Sequence, residues 1–318
     1  MPGANRYKLA VRDVYASCLS LLPMSLLDPL RARMASAPGP APGRAAAELA
    51  LRAIRYRHLD RAIDSFSPPD RPDVRFANVD SLIVRRLYWL GQSGYEGPES
   101  YLWERCCSRA TGILEIGANI GFYTVLGAKA AAGMRYVAVE PHPISVGILR
   151  RNLALNALSH VHVVNAAAVG KKTAGQMTLM VPLQDHDVAP SGAYLETAAE
   201  GQSRRSRRAD VVSVLEAAEL VDGIDLLKLD VEGHEYEILS SVAPYVEARR
   251  PTMFVEVLDE TPRLRALLSS WCERLGYSAY VFRSGRLTNL PPADLLRMKL
   301  WQLHDLRDVV LSVGTPGD

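Results

Sequence analysis

The sequence predicts a doubly wound α/β fold around a mostly parallel sheet of seven strands. Three observations carry that expectation. From Thr111 onward, short runs rich in Val, Ile and Leu alternate with longer stretches whose apolar residues recur at i, i+3 and i+4, the pattern of strands joined by crossover helices. The first of those runs, ILEIGANIGFY (113–123), breaks into a glycine turn just where a helical pattern begins. A chain of 318 residues, 48% of them hydrophobic, can also bury the core of one large α/β domain and still carry an appendage.

Taken in chain order, residues 1–110 read as a helical, irregular region rich in Ala and Arg. It is interrupted by the linker-like SAPGPAPGR (36–44) and by a turn-rich break around SFSPPDRPD. Residues 111–318 read as the α/β domain. Its strands are expected at GILEIGA (112–118), RYVAVEP (135–141), VHVVNAAAV (161–169), DLLKLDV (225–231), MFVEV (253–257), SAYVF (278–282) and DVVLSV (308–313). The stretches FYTVLGAKAAA, ISVGILRRNLALN, VVSVLEAAEL, EYEILSSVAPYV and RLRALLSSWCERLG are expected to be helices.

Composition excludes some classes. A net charge of +2 gives no global field for nucleic acid or an acidic membrane surface. The cysteines, Cys18, Cys106, Cys107 and Cys272, form no metal-ligand spacing, and a reduced, cytoplasmic protein is expected. The start lacks the pattern of a signal peptide. The apolar stretch YASCLSLLPMSLLDPL is cut by Pro23 and Asp28 and is too short to span a bilayer.

In a doubly wound sheet, ligands bind beyond the carboxyl ends of the strands. The first strand ends in Gly117–Gly121, the second in Glu140, the third in Asn165, the fourth in Asp230 and the fifth in Glu256. Glu140 lies at the spacing where an acid takes both ribose hydroxyls. A dinucleotide would want G-x-G-x-x-G, but Asn119 and Phe122 stand where two of those glycines belong. Glu115, inside the strand, would repel a pyrophosphate and attract a cationic ammonium or sulfonium. The pattern therefore points to S-adenosylmethionine rather than NAD.

These residues resemble the FkbM family of S-adenosylmethionine-dependent methyltransferases. The resemblance rests on LEIGANIGFYT (114–124), VAVEPHP (137–143), NLALNAL (152–158), NAAAVG (165–170), LLKLDVEGHEYEIL (226–239) and RRPTMFVEV (249–257). It covers roughly residues 90 to 290, and K-x-D-x-E-G-x-E is its most specific element. Glu115 stands where the family more often has Asp. The resemblance implies a Rossmann-like methyltransferase acting on hydroxyl oxygens of natural products and sugars. The expected cofactor contacts are Glu115, Gly117, Asn119, Gly121, Phe122, Tyr123, Glu140, Pro141, Asn165 and Ala166.

An alcohol must lose its proton as it attacks a methyl group, so it needs a general base or a metal ion. The block Lys228, Asp230, Glu232 and His234 supplies the candidates, with His234 as base. Asp230 and Glu256 could hold a hard divalent cation such as Mg²⁺ or position the acceptor hydroxyl. A small-molecule or oligosaccharide acceptor is expected, with no nucleic acid and no transmembrane segment.

Several other features stay open. His142 reads as a cofactor-edge residue or a helix cap, and His186 as part of a lid or a solvated loop. The RRSRR run (204–208) reads as a solvated loop or an anion contact. Arg85, Arg86, Tyr88, Trp89, Tyr95, Tyr101 and Trp103 suit either a sugar-stacking cover of the acceptor pocket or a packing seam. The leading expectation is O-methylation of a sugar hydroxyl. A lipid or polyketide acceptor and a non-catalytic cofactor-binding scaffold are the alternatives.

Overall fold

The computed structural model of the chain describes residues 63–172, 175–182, 188–189, 193–195, 206–258, 261–297 and 307–318. They divide into two compact units at Gly97–Pro98. The linker at 36–44, the apolar stretch at 15–30, His186 and the first two arginines of RRSRR lie outside the described residues.

The described part of the first unit begins with a two-stranded antiparallel ladder, β1 (Ser65–Phe66) with β2 (Phe76–Ala77). The turn-rich SFSPPDRPD thus closes a hairpin. Helix α1 (Leu82–Leu90) follows, its first turn capped by Ser81, whose hydroxyl accepts from the Ile83 amide at 3.3 Å. Tyr88 and Trp89 are buried, and Tyr88 packs edge-on against Phe66 at 5.3 Å. These two rings serve packing, so within this unit the seam reading fits them better than an open sugar platform.

The second unit runs from α2 (Gly97–Cys107) into β3 (Gly112–Ile116), α3 (Phe122–Ala130), β4 (Arg135–Val139), α4 (Pro143–Leu155) and β5 (Val161–Val164). A second group follows: β6 (Ala167–Val169), β7 (Gln176–Pro182), β8 (Tyr194–Leu195) and β9 (Ser206–Glu216). The chain then returns through β10 (Leu226–Leu229), α5 (Glu235–Ser241), α6 (Ala243–Arg249), β11 (Thr252–Glu256) and α7 (Pro262–Leu275). It closes with β12 (Ser278–Arg283), β13 (Arg286–Leu290), α8 (Pro292–Arg297) and β14 (Asp308–Ser312).

The main sheet has the order β13-β12-β14-β11-β10-β3-β4-β5. It is Rossmann-like, with parallel pairing from β5 across to β11. The expected seven mostly parallel strands become eight in a mixed sheet, because β14, β12 and β13 join by antiparallel ladders. Strand β13, RLTNL, was not expected at all: it is half exposed and carries no apolar run.

Two sequence expectations fail for identifiable reasons. VHVVNAAAV is not one strand; it breaks at Asn165–Ala166, and its second half joins a separate four-stranded sheet, β6-β9-β7-β8. VVSVLEAAEL is not a helix; its first half belongs to β9, which lies antiparallel to β7 and parallel to β6. Val212 and Val214 are buried while Ser213 is exposed, the two-residue period of a strand. A run of β-branched residues took the strand state once distant partners were available. EYEILSSVAPYV also splits, into α5 and α6 at Val242, because Pro244 has no amide for the helical ladder.

The core lies on both faces of the main sheet. Leu264, Leu268, Trp271 and Cys272 of α7 pack with Ile238 and Leu239 of α5 against Met253, Val255, Val309 and Leu311. Glu115, Lys228 and Glu256 alternate with residues of this cluster along β3, β10 and β11 and so fall on the opposite face. The register sets Lys228 beside Glu115 and Glu256 beside Asp308. At the end of β3, Gly117 has φ +90°, and a Cβ there would lie 1.8 Å from the Asp230 carbonyl oxygen. Gly117→Ala is therefore expected to lower stability by at least about 2 kcal/mol, read as a lower denaturant midpoint at unchanged slope.

Candidate active site

The glycine turn is built by backbone bonds to the neighbouring strand. The amides of Gly117 and Ala118 both donate to the Val139 carbonyl, at 2.9 and 3.1 Å. Asn119 has φ +47° and Gly121 φ +83°, so the turn uses left-handed backbone at three positions, and Asn tolerates that region better than most residues. Helix α3 starts from Gly121 with no side-chain cap.

Glu140 locks this turn. Its Oε2 accepts from the Asn119 amide and its Oε1 from the His142 amide, both at 2.8 Å. Burial pushes its carboxyl up to about 7, against the pull of those two amides. Each carboxylate oxygen has a second acceptor position, so the group can brace the loop and still take ribose hydroxyls. Asn165 is a brace too: its Nδ2 donates to the carbonyls of Glu140 and Pro141, both at 3.0 Å. His142 caps α4, its Nδ1 facing the Ser145 amide at 3.4 Å. Pro141 is half-buried beside the turn, and Ala166 is buried.

Glu115 turns inward. Its Oε2 accepts from Tyr136 Oη at 2.6 Å and from Thr124 Oγ1 at 2.8 Å. It lies beneath the loop, so any attraction for a cation from there acts through the field rather than by these bonds. Phe122 and Tyr123 are buried at the start of α3 in edge-to-face contact, and Tyr123 Oη donates to Glu99 Oε1 at 3.1 Å. Trp103, fully buried, donates its Nε1 to the Tyr123 carbonyl at 3.1 Å, whereas Tyr101 is 47% exposed.

The Lys228–His234 block forms the facing wall. The Asp230 amide donates to the Ile116 carbonyl at 3.0 Å, so Asp230 extends the β3–β10 ladder by one residue. Glu232 (φ +52°) and Gly233 (φ +109°) then make a left-handed turn. Glu235 closes it by accepting from the Val231 amide at 3.0 Å and the Gly233 amide at 3.1 Å. That role was missed in the sequence, although an acid in the first turn of a helix after E-G is its signature. His234, half-buried, opens α5.

Asp230, Glu232 and Glu256 converge, each offering an oxygen within 4.8 Å of the others. Glu256 is 5% exposed; its Oε1 meets Arg307 Nη1 at 3.3 Å, and its Oε2 has no hydrogen-bond partner. Burial first, then the charges of Asp230, Glu232 and Asp308, push its carboxyl up to about 10. Asp230 is pushed up chiefly by the enclosing crevice and pulled down by Lys228. Since 36% of its side chain meets solvent, water screens part of that push. Lys228 is 2% exposed, and its ammonium lies 2.7 Å from Asp308 Oδ2. Asp308 and Glu99 are the members of this group that sequence reasoning did not find.

A Rossmann-like sheet with a glycine turn held by a buried acid is the frame in which a nucleoside-bearing ligand binds beyond the strand ends. Residues 115–279 match the profile described as the methyltransferase FkbM domain, and the chain belongs to the FkbM methyltransferase family. Among solved structures, methyltransferase FkbM from Methylobacillus flagellatus is 18% identical. That match covers 83% of this chain and 65% of that one, with a TM-score of 0.39. An O-methyltransferase from Bacillus cereus in complex with SAH is 13% identical over 67% of this chain and 78% of that one, with a TM-score of 0.35. Precorrin-6y C5,15-methyltransferase from Geobacter metallireducens is 14% identical over 68% and 85%, with a TM-score of 0.34. No curated protein matches in sequence. Among the described residues, no helix is long and apolar enough to cross a membrane.

The buried acids give the protein a pH signature. Burial pushes Glu115 from 4.5 up to about 7, against the bonds from Tyr136 and Thr124. Between those values the folded state holds a proton that the unfolded chain has released, so stability falls as pH rises through this window. The unfolding temperature of the ligand-free protein is expected to drop by roughly 5 °C from about pH 5 to about pH 8. Glu115→Gln should reduce that drop and leave the part due to Glu140 and Glu235, which burial also pushes up to about 7.

Proposed function

We propose that the protein is an S-adenosylmethionine-dependent O-methyltransferase whose acceptor is a hydroxyl of a sugar in a glycan or glycosylated natural product. The observation that carries the methyl-transfer reading is the close approach of Gly117 to the Asp230 carbonyl, and the sugar hydroxyl follows from the resemblance to the family. That approach brings the acid of the acceptor wall against the cofactor loop, where a methyl group and a hydroxyl would have to meet. The Gly117–Gly121 turn, Phe122, Tyr123, Glu140, Pro141, Asn165 and Ala166 would hold the cofactor, with Glu115 beneath it. When bound, S-adenosylmethionine supplies an electrophilic methyl group on a sulfonium.

The protein's share of the reaction is orientation and proton removal. Asp230 and Glu256 position the acceptor hydroxyl at the strand tip. An imidazole nitrogen of His234 takes its proton as the oxygen gains the methyl and the carbon–sulfur bond breaks, its electron pair staying on the sulfur of a neutral thioether. The oxygens of Asp230, Glu232 and Glu256, with the unpartnered Glu256 Oε2 among them, also fit a hard divalent cation such as Mg²⁺. Such an ion would neutralise the cluster and stabilise a developing alkoxide. A cytoplasmic location accords with the free thiols of Cys106, Cys107 and Cys272.

Methyl-labelled S-adenosylmethionine, the pure protein and an extract of its source test the reading. Base-stable label is expected in the carbohydrate fraction, with Asp230→Asn slowing transfer at least about 100-fold. Label found only in lipid would replace the sugar with an apolar acceptor, and full turnover by Asp230→Asn would remove the centre of the mechanism. A chelator is expected to stop transfer and added Mg²⁺ to restore it. Unchanged rates in chelator would exclude the ion.

A further inference from the structure

Lys228 presents a buried charge that the proposed chemistry leaves unused. It sits inside β10 with Leu226, Leu227 and Leu229 as its strand neighbours, all of them buried. An apolar side chain of similar length would fill that position without the cost of desolvating an ammonium. The ammonium instead gathers groups from three other elements and from its own strand end. Asp308 Oδ2 of β14 is 2.7 Å away, Glu99 Oε1 of α2 3.5 Å and Asp230 Oδ2 3.7 Å. The ring centroid of Tyr123, on α3, lies 4.4 Å away.

These partners differ in what they face. The side chains of Glu99 and Asp308 are 1% and 8% exposed, whereas that of Asp230 is 36% exposed. Asp230 is therefore the partner that reaches the crevice, and Lys228 backs it from inside the sheet. Glu99 also accepts from Tyr123 Oη, which ties the same ammonium to the helix that follows the glycine turn.

We propose that Lys228, held by Asp308, is a positioning residue that fixes the Asp230 carboxylate at the strand tip and keeps it registered against the cofactor loop. Lys228 thus acts through Asp230 and does not touch the acceptor. The inference rests on the reading that Asp230 works on the acceptor hydroxyl. Asp308 becomes part of the enzyme's machinery although it is more than seventy residues away from the block in sequence (308 against 230). It arrives on an antiparallel strand that begins where the parallel strands end.

A double-mutant cycle tests this, using the rate of label transfer into the carbohydrate fraction and calorimetric binding of S-adenosylmethionine. Asp308→Asn is expected to slow transfer about tenfold while changing cofactor affinity less than about twofold. In the Asp230→Asn background the same change should alter the residual rate less than about twofold, because the residue it acts through is gone. Full, multiplicative losses in both backgrounds would overturn the proposal and leave Lys228–Asp308 as a plain structural pair. A fully active Asp230→Asn would instead sink the functional reading itself. If Asp308→Asn does not fold, Lys228→Arg against Lys228→Met carries the same test. Arg is expected to keep most of the rate per folded molecule, and equal rates for the two would overturn the proposal.

Discussion

The parallel register between β3 and β10 is the constraint on which the site depends. It sets Lys228 beside Glu115, extends through the bond from the Asp230 amide to the Ile116 carbonyl, and ends where Gly117 lies against the Asp230 carbonyl. Two strand tips can approach this closely only if one of them lacks a side chain at the contact. Glycine at 117 thus does more than allow a positive φ. It lets the loop that would hold the cofactor and the turn that would hold the acceptor share a wall, and a slip of one residue would send every side chain of β10 to the opposite face.

Electrostatics then give the crevice its character. Glu115, Glu140, Asp230, Glu232, Glu256 and Asp308 bring carboxyl groups to a few strand tips, while Lys228 and Arg307 lie among them as counter-charges. Burial makes such an arrangement unfavourable when all the groups are ionised, which is why Glu115, Glu140 and Glu256 are all pushed upward. A cationic ligand would relieve that strain, whether sulfonium or divalent metal. Among the described residues, acidic character gathers where the proposed positive ligand would lie.

A second, four-stranded sheet lies between β5 and β10 in the chain. After β5 the chain leaves the main sheet at Asn165 and builds β6, β7, β8 and β9 around its own small core of Ala167, Val169, Leu179, Leu195, Val212 and Val214. It then returns to β10. Asn165 anchors the start of this departure, because its side chain donates to the Glu140 and Pro141 carbonyls as the backbone turns away. The second sheet therefore begins at a position already tied to the strand tip that braces the glycine turn.

Much of this was legible in the sequence where signals are local. The glycine turn, the acid at the end of the second strand and the K-x-D-x-E-G-x-E block are short-range patterns, and each falls at the strand tip the sequence placed it on. α7 followed its apolar spacing to a stop at Gly276. Where the outcome depended on partners distant in sequence, local pattern was insufficient: VVSVL became strand because β7 and β6 were there to pair with it, and RLTNL became strand only beside β12. The same holds within the site. Sequence alone determined which carboxylates lie at strand ends, since alternation and loop position fix that. Only the tertiary structure decided that Glu115 turns inward to Tyr136 and Thr124, that Glu140 spends its oxygens on two amides, and that Lys228 is held by Asp308 and Glu99. The reason is physical: the bonds from Tyr136 to Glu115, from Asn119 to Glu140 and from Lys228 to Asp308 join residues 21, 21 and 80 positions apart, and such partners are chosen by sheet order and burial, which no local stretch of sequence encodes.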